Sequence, residues 1–166
     1  MKNKLVYFFV IAILFAGCKA HVSMSGASIP VEAQTASIAV FKNNSSIGPP
    51  TLSQDFTEKL RNLVLQQTRL AVIPRNGDMN FDGYISDYAV APVAASGDNA
   101  TKNRLTITVH VVFKNKFEPA KNFEQNFTRF ADFGSTESIT SRGPDLVQEI
   151  FRQITEDVYY ASFNNW

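Results

Sequence analysis

Residues 78–83 read Asp78-Met79-Asn80-Phe81-Asp82-Gly83, and the fold turns on how this stretch is read. Three oxygen-bearing side chains alternate and a glycine follows, like the first half of an EF-hand calcium loop. Such a loop needs a bidentate carboxylate at its twelfth position and a helix on each side. Counted from Asp78, that position is Ala89. Upstream, Pro74 and the Asn76-Gly77 turn break any helix. Downstream, Met79, Phe81, Gly83 and Ile85 alternate with Asn80, Asp82, Tyr84, Ser86 and Tyr88, which is a strand period. The stretch therefore reads as a strand with a polar outward face, where Asp78, Asn80 and Asp82 line up rather than converge on an ion.

Working outward, a second alternating strand follows the loop 93–103. Leu105, Ile107, Val109, Val111 and Phe113 share one face, and Arg104, Thr106, Thr108, His110 and Lys114 the other. A third spans "NFEQNFTRFAD", with Phe123 and Phe127 on a common face and Phe130 out of step, a mark of a bulge or a two-sided strand. Upstream, "TASIAVF" (35–41) is apolar and β-branched and predicts a first strand. Between them Leu52, Phe56, Leu60, Leu63 and Val64 form the stripe of a helix ending near Gln67, with Thr51 and Gln54 placed for a capping box. "RLAVIP" is a short apolar piece before the turn. A last helix opens at Pro144-Asp145, which suit a first turn, with Val147, Ile150, Phe151, Ile154, Val158 and Ala161 as its stripe. The order β-α-β-β-β-α predicts an α+β domain, a four-stranded mixed sheet with two helices on one face.

With 166 residues, 45% hydrophobic and 19% charged, the chain has the size and balance of one globular domain. Its N-terminus reads differently. Lys2 and Lys4 precede the uncharged run from Leu5 to Gly17. Thirteen helical residues reach only about 20 Å, short of a ~30 Å hydrocarbon core, so residues 1–17 read as an export signal rather than a span. "FAGC" (15–18) resembles a bacterial lipobox, with Phe15 where leucine is usual. That resemblance implies cleavage before Cys18 and acylation of that residue, the chain's one cysteine. Residues 18–34 are small and polar and read as a tether, leaving 35–166 as the domain. Without Lys2 and Lys4 the 16 basic residues become 14 against 15 acidic, a net charge of −1. No global field then draws the chain to nucleic acid or to anionic lipid, so any anion it binds is held by a local cluster.

Enzymatic chemistry is poorly supplied. His21 lies in the tether and His110 on a polar strand face, so with Cys18 acylated no Cys/His metal set can be assembled. Neither a GxSxG elbow nor a phosphate-binding GxxxxGK[ST] loop occurs. No cofactor is implied, and the chain reads as a non-enzyme. Arg104, Lys114, Lys116 and Arg129 lie on or beside the last two long strands, with Phe117 and Phe130 near. They are the candidate patch for a phosphorylated lipid head group such as that of lipopolysaccharide. Tyr84 and Tyr88 are candidate partner-interface residues on the outward face.

Taken together, "SGASIP", "TLSQDFTEKL", "NGDMNFDGYISDYAVAPVA", "NRLTITVHVVF", "FEQNFTRFAD" and the terminal "NNW" resemble the LptE-like lipopolysaccharide-assembly lipoproteins of Bacteroidetes. The resemblance covers nearly all of residues 18–166 and includes the opening stretch. It implies a lipoprotein on the periplasmic face of the outer membrane. Such a protein plugs and helps assemble an LptD-type β-barrel that delivers lipopolysaccharide to the cell surface. Of individual residues only Cys18 carries over. A periplasmic scaffold or pilotin-like lipoprotein of another envelope or secretion machine is the alternative.

Overall fold

The computed structural model describes residues 29–93 and 102–164. The signal segment, Cys18 and His21 lie outside the described residues. The elements run β1 (Thr35–Ile38), β2 (Lys42–Asn43), α1 (Leu52–Gln67), β3 (Ala71–Ile73), β4 (Met79–Val93), β5 (Lys102–Asn115), a 3-10 turn (Pro119–Lys121), β6 (Phe123–Gly134) and α2 (Ile139–Phe163). The α+β class and the mixed sheet are as expected. The sheet has six strands rather than four, ordered β3-β1-β4-β5-β6, with β2 also paired to β4. The two additions, β2 and β3, are two and three residues long, too short to show a period. β3 is the apolar piece before Pro74, and it pairs in parallel with β1. β1 also runs parallel to β4, while β4, β5 and β6 are antiparallel neighbours.

Both helices cover one face of the sheet. α1 lies over β1, β2 and β3, α2 over β5 and β6, and the helices touch each other. The core between them is rich in phenylalanine: Phe56 meets Phe41 at 4.9 Å and Phe151 at 5.2 Å between ring centres, and Phe81 meets Phe113 at 4.9 Å. Edge-on and tilted ring pairs of this kind add to the burial of area itself. α1 is tied to the end of the first strand by two hydroxyls. Ser53 Oγ donates to the Phe41 carbonyl at 2.7 Å, and Thr57 Oγ1 accepts from the Phe41 N–H at 3.1 Å. The body starts before the expected boundary at Thr35: Ala33 is fully buried and Ile29 packs on the core.

Three local expectations are corrected. Thr51 makes no side-chain cap and has helical dihedrals itself, so no capping box forms; Gln54 instead donates to Glu58. α2 begins at Ile139 rather than Pro144, because Ser138 caps it by accepting from the Thr140 N–H at 3.2 Å. Pro144 then stands sixth in the helix, beside a buried Gly143 against which Ile139 packs. Ala161 is exposed, and Tyr159, Ser162 and Phe163 are buried in its stead.

Candidate functional site

The sheet face without helices is open, and its side chains form cross-strand rows. Along β4 the outward positions are Asn80, Asp82 and Tyr84 and, past Ile85, Asp87, Ala89 and Ala91; along β5 Lys114, Val112, His110, Thr108, Thr106 and Arg104; along β6 Glu124, Asn126, Thr128, Phe130 and Asp132. The opening stretch sits here, and its three oxygen-bearing residues have separate tasks. The Asp78 carboxylate accepts from the backbone N–H groups of Gln34 and Thr35 at 3.1 and 3.2 Å and from Thr35 Oγ1 at 2.9 Å, clamping the start of β1. Asn80 accepts from Ser37 Oγ and donates to the Gly77 carbonyl. Asp82 accepts from the Gly83 N–H. Donation by the Gln34 N–H, with Thr35 and Lys116 adding to it, holds the Asp78 carboxyl down at about 2.

The structure separates the four expected cations. Arg129 pairs across from Ile107, so it lies on the helix side of the sheet. There it makes a two-pronged ion pair with Asp157 of α2, at 2.6 and 2.8 Å. Arg104 is on the open face but grips Asp132 at 2.6 and 3.0 Å and stacks 3.7 Å above the Phe130 ring. The Arg104 contact lowers the Asp132 carboxyl below its ordinary range. Phe130 thus needs no bulge; β5 and β6 pair without a register break, and the ring is simply outward. Lys114, ten residues from Arg104, is about 34 Å away along the strand. The expected single patch of Arg104, Lys114, Lys116 and Arg129 is therefore corrected: Lys114 and Lys116 stay together, and the two arginines stand elsewhere.

Those two lysines line an open concavity of about 570 Å³ with Asn76, Gly77, Asn80, Asp82 and Val112. Lys116 Nζ is 3.3 Å from Asp78 Oδ1. Among the described residues, no ion pair occupies Lys114, which lies opposite Asn80. The concavity owes its floor to Gly77, which crosses the outer side of β1: a Cβ there would sit 2.4 Å from the Ser37 nitrogen. Sequence reasoning missed Asn76, Gly77, Asn80 and Asp82 as lining residues. The Asn-Gly turn was visible, but not that it folds back over β1. Ammonium, amide and carboxylate groups on an open polar floor suit an anionic, hydroxylated head group. They offer no paired nucleophile and base.

The tyrosines also part company. Ile85 pairs with Val109 and Asp87 with Thr108, so Ser86 is an extra residue in β4. This bulge reverses the alternation beyond it. Tyr84 remains outward, 37% exposed, stacked on His110 at 4.8 Å; His110 in turn reaches Asn126 at 2.9 Å and Glu124 at 3.1 Å. Tyr88 is turned into the core at 7% exposure, between the Gly48 loop and Gly143, where burial raises its phenol. Its expected place on the partner-facing surface is withdrawn.

A two-helix cover on one face and a polar open face on the other meet a direct family match. The LptE lipopolysaccharide-assembly family matches residues 33–162. The chain belongs to the LptE family. LptE proteins are lipoproteins of lipopolysaccharide assembly associated with the outer membrane, and they are not enzymes. No curated protein matches in sequence. Among solved structures, a protein described as a neuraminyllactose-binding hemagglutinin homologue from Helicobacter pylori is 10% identical, over 84% of this chain and 88% of that one, with a TM-score of 0.52. A minor lipoprotein from Acinetobacter baumannii (12% identity, 80% and 97% covered) and lipoprotein B from Nitrosomonas europaea (12%, 86% and 88%) both score 0.48. At such identities the Helicobacter likeness is one of fold alone.

Proposed function

We propose that this LptE-family chain is an outer-membrane lipoprotein, cleaved after residue 17 and acylated on Cys18. The residues that follow Cys18 tether the body at the periplasmic face. There it assembles with and plugs an LptD-type β-barrel that carries lipopolysaccharide to the surface. The observation that carries this reading is the family match over nearly the whole folded body. The fold supports it physically. A plug needs a body whose surface tolerates water and whose shape does not depend on its partner, and here the core is closed on one side of the sheet while the other side is polar.

Within that reading, Lys114 and Lys116 in the polar concavity hold phosphates of lipopolysaccharide, where they compete with the divalent ions that bridge neighbouring molecules. Arg104 and Arg129 are already committed to Asp132 and Asp157. Tyr84 remains the candidate contact with the barrel. Crosslinking in membranes, followed by mass spectrometry of the captured partner, tests the assembly. A large outer-membrane barrel is the expected capture; a secretin or a soluble periplasmic complex would favour a pilotin-like role instead. For the concavity, Lys114→Glu with Lys116→Glu should weaken lipopolysaccharide binding at least tenfold. Arg104→Gln should leave it within about twofold. Equal effects of the two changes would remove the concavity from the proposal.

A further inference from the structure

The parallel and antiparallel registers place the start of β1, the end of α1, the start of β4, the end of β5, the start of β6 and the end of α2 at one pole of the molecule. The Tyr159 hydroxyl donating to the Gln67 carbonyl joins the two helix ends there. Two loop tips project from this pole. One is the turn Pro30–Ala33, closed by a 3.0 Å hydrogen bond, which thrusts Val31 out at 79% exposure. The other is the β5–β6 connection, with Phe117 39% exposed and Pro119 and Ala120 beside it. Ile29, Pro30, Val31 and Phe117 line a common shallow hollow together with Glu32 and Glu118.

Cations ring these tips. Arg69 donates to the Pro30 carbonyl at 2.7 Å, Lys116 Nζ lies 5.5 Å from the Phe117 ring, and Lys121 and Lys114 are close by along the chain. Four carboxylates accompany them: Glu32, Asp78, Asp82 and Glu118. Lys116 pairs with Asp78 and Lys121 with Glu118, while Asp82 shares the concavity with Lys114, and Glu32 lies beside Val31, so cations and carboxylates balance at this pole. The end of the body to which Cys18 leads thus presents apolar tips within a rim of mixed, largely paired charges. Amphipathic surfaces of this composition settle at the boundary of head groups and acyl chains.

We propose that this pole is a membrane-contact surface, with Val31 and Phe117 entering the lipid interface and Lys116 and Arg69 on the head groups. The proposal rests on the acylation of Cys18 argued above. Ten residues separate Cys18 from Ile29, a span of at most about 40 Å. A tether that short holds the pole at an effective concentration in the millimolar range. Even a contact too weak to recruit a free protein is then occupied. The body so anchored stands with its open sheet face upright to the bilayer until a partner takes it up.

Bromine-labelled acyl chains quench tryptophan only at close range, which makes the contact measurable. The mature acylated protein, carrying Trp166→Phe and one of Val31→Trp, Phe117→Trp or Ile47→Trp, is reconstituted in phosphatidylethanolamine–phosphatidylglycerol vesicles with brominated chains. Ile47 is exposed in the loop before α1, at the opposite pole. Quenching at positions 31 and 117 should exceed that at 47 about threefold or more. Adding Lys116→Glu to the Phe117→Trp protein should reduce it. Equal quenching at all three positions in a protein whose mass shows the acyl chains would overturn this proposal alone. An unacylated mass would remove the anchoring reading and this one with it.

Discussion

Asp78 shows how one carboxylate can imitate a metal ligand and serve as a joint. It sits where the chain crosses the sheet, and its oxygens take the donors of Gln34 and Thr35. Those donors favour the charged form and bring its pKa from 3.8 to about 2. A depressed carboxyl contributes stability that is complete above its unfolded pKa and lost as pH falls toward the folded one. Wild type should therefore lose its advantage over Asp78→Asn between about pH 4 and pH 2 and match it below, as read from urea midpoints across that range. A second residue-scale test concerns close backbone approach. A Cβ on Gly83 would lie 2.0 Å from the His110 carbonyl oxygen, and one on Gly77 would lie 2.5 Å from the Ala36 carbonyl carbon. Gly83→Ala and Gly77→Ala should each cost about 1–3 kcal/mol, measurable by denaturant titration, whereas Gly134→Ala, which meets only the flexible Glu137 side chain, should cost less.

At the scale of elements, the long members were legible and the junctions were not. β5 and the central part of α1 follow their periods because each buries one continuous face, and burial is what the pattern records. β4 follows its period only to Ile85. A single inserted residue sent Tyr88 inward, and no local signal distinguishes that insertion from a continued strand. α2 begins a turn and a half before Pro144 and Asp145, which look like a helix start, because the working cap, Ser138, precedes a run with no helix signal of its own. The cation patch failed for a different reason. Strand parity alone sets Arg129 on the face of Phe123 and Phe127, away from Arg104 and Lys114, and the register of β6 against β5 places it opposite Ile107. The resulting ion pair between β6 and α2 is half exposed, 47% for Arg129 and 29% for Asp157. Pairs of this kind are screened, so Arg129→Ala should destabilise by no more than about 1 kcal/mol, and thermal melts should show a shift of only a few degrees. Phe56, fully buried between Phe41 and Phe151, is the opposite case: Phe56→Ala should cost about 3–5 kcal/mol.

For the molecule as a whole, one topological feature reaches beyond the finished fold. β1 is internal to the sheet, yet both strands that flank it, β3 and β4, are later in sequence. Ile38 waits for Phe81, 43 residues on, before its register is complete. A chain emerging N-terminus first therefore carries an unpaired β-branched segment through the synthesis or translocation of a quarter of its length. Loop closure of that size is slow relative to local helix formation. During that interval the segment is a target for holdase chaperones, and delaying its capture should favour misassembly more than any change in the mature protein's surface would.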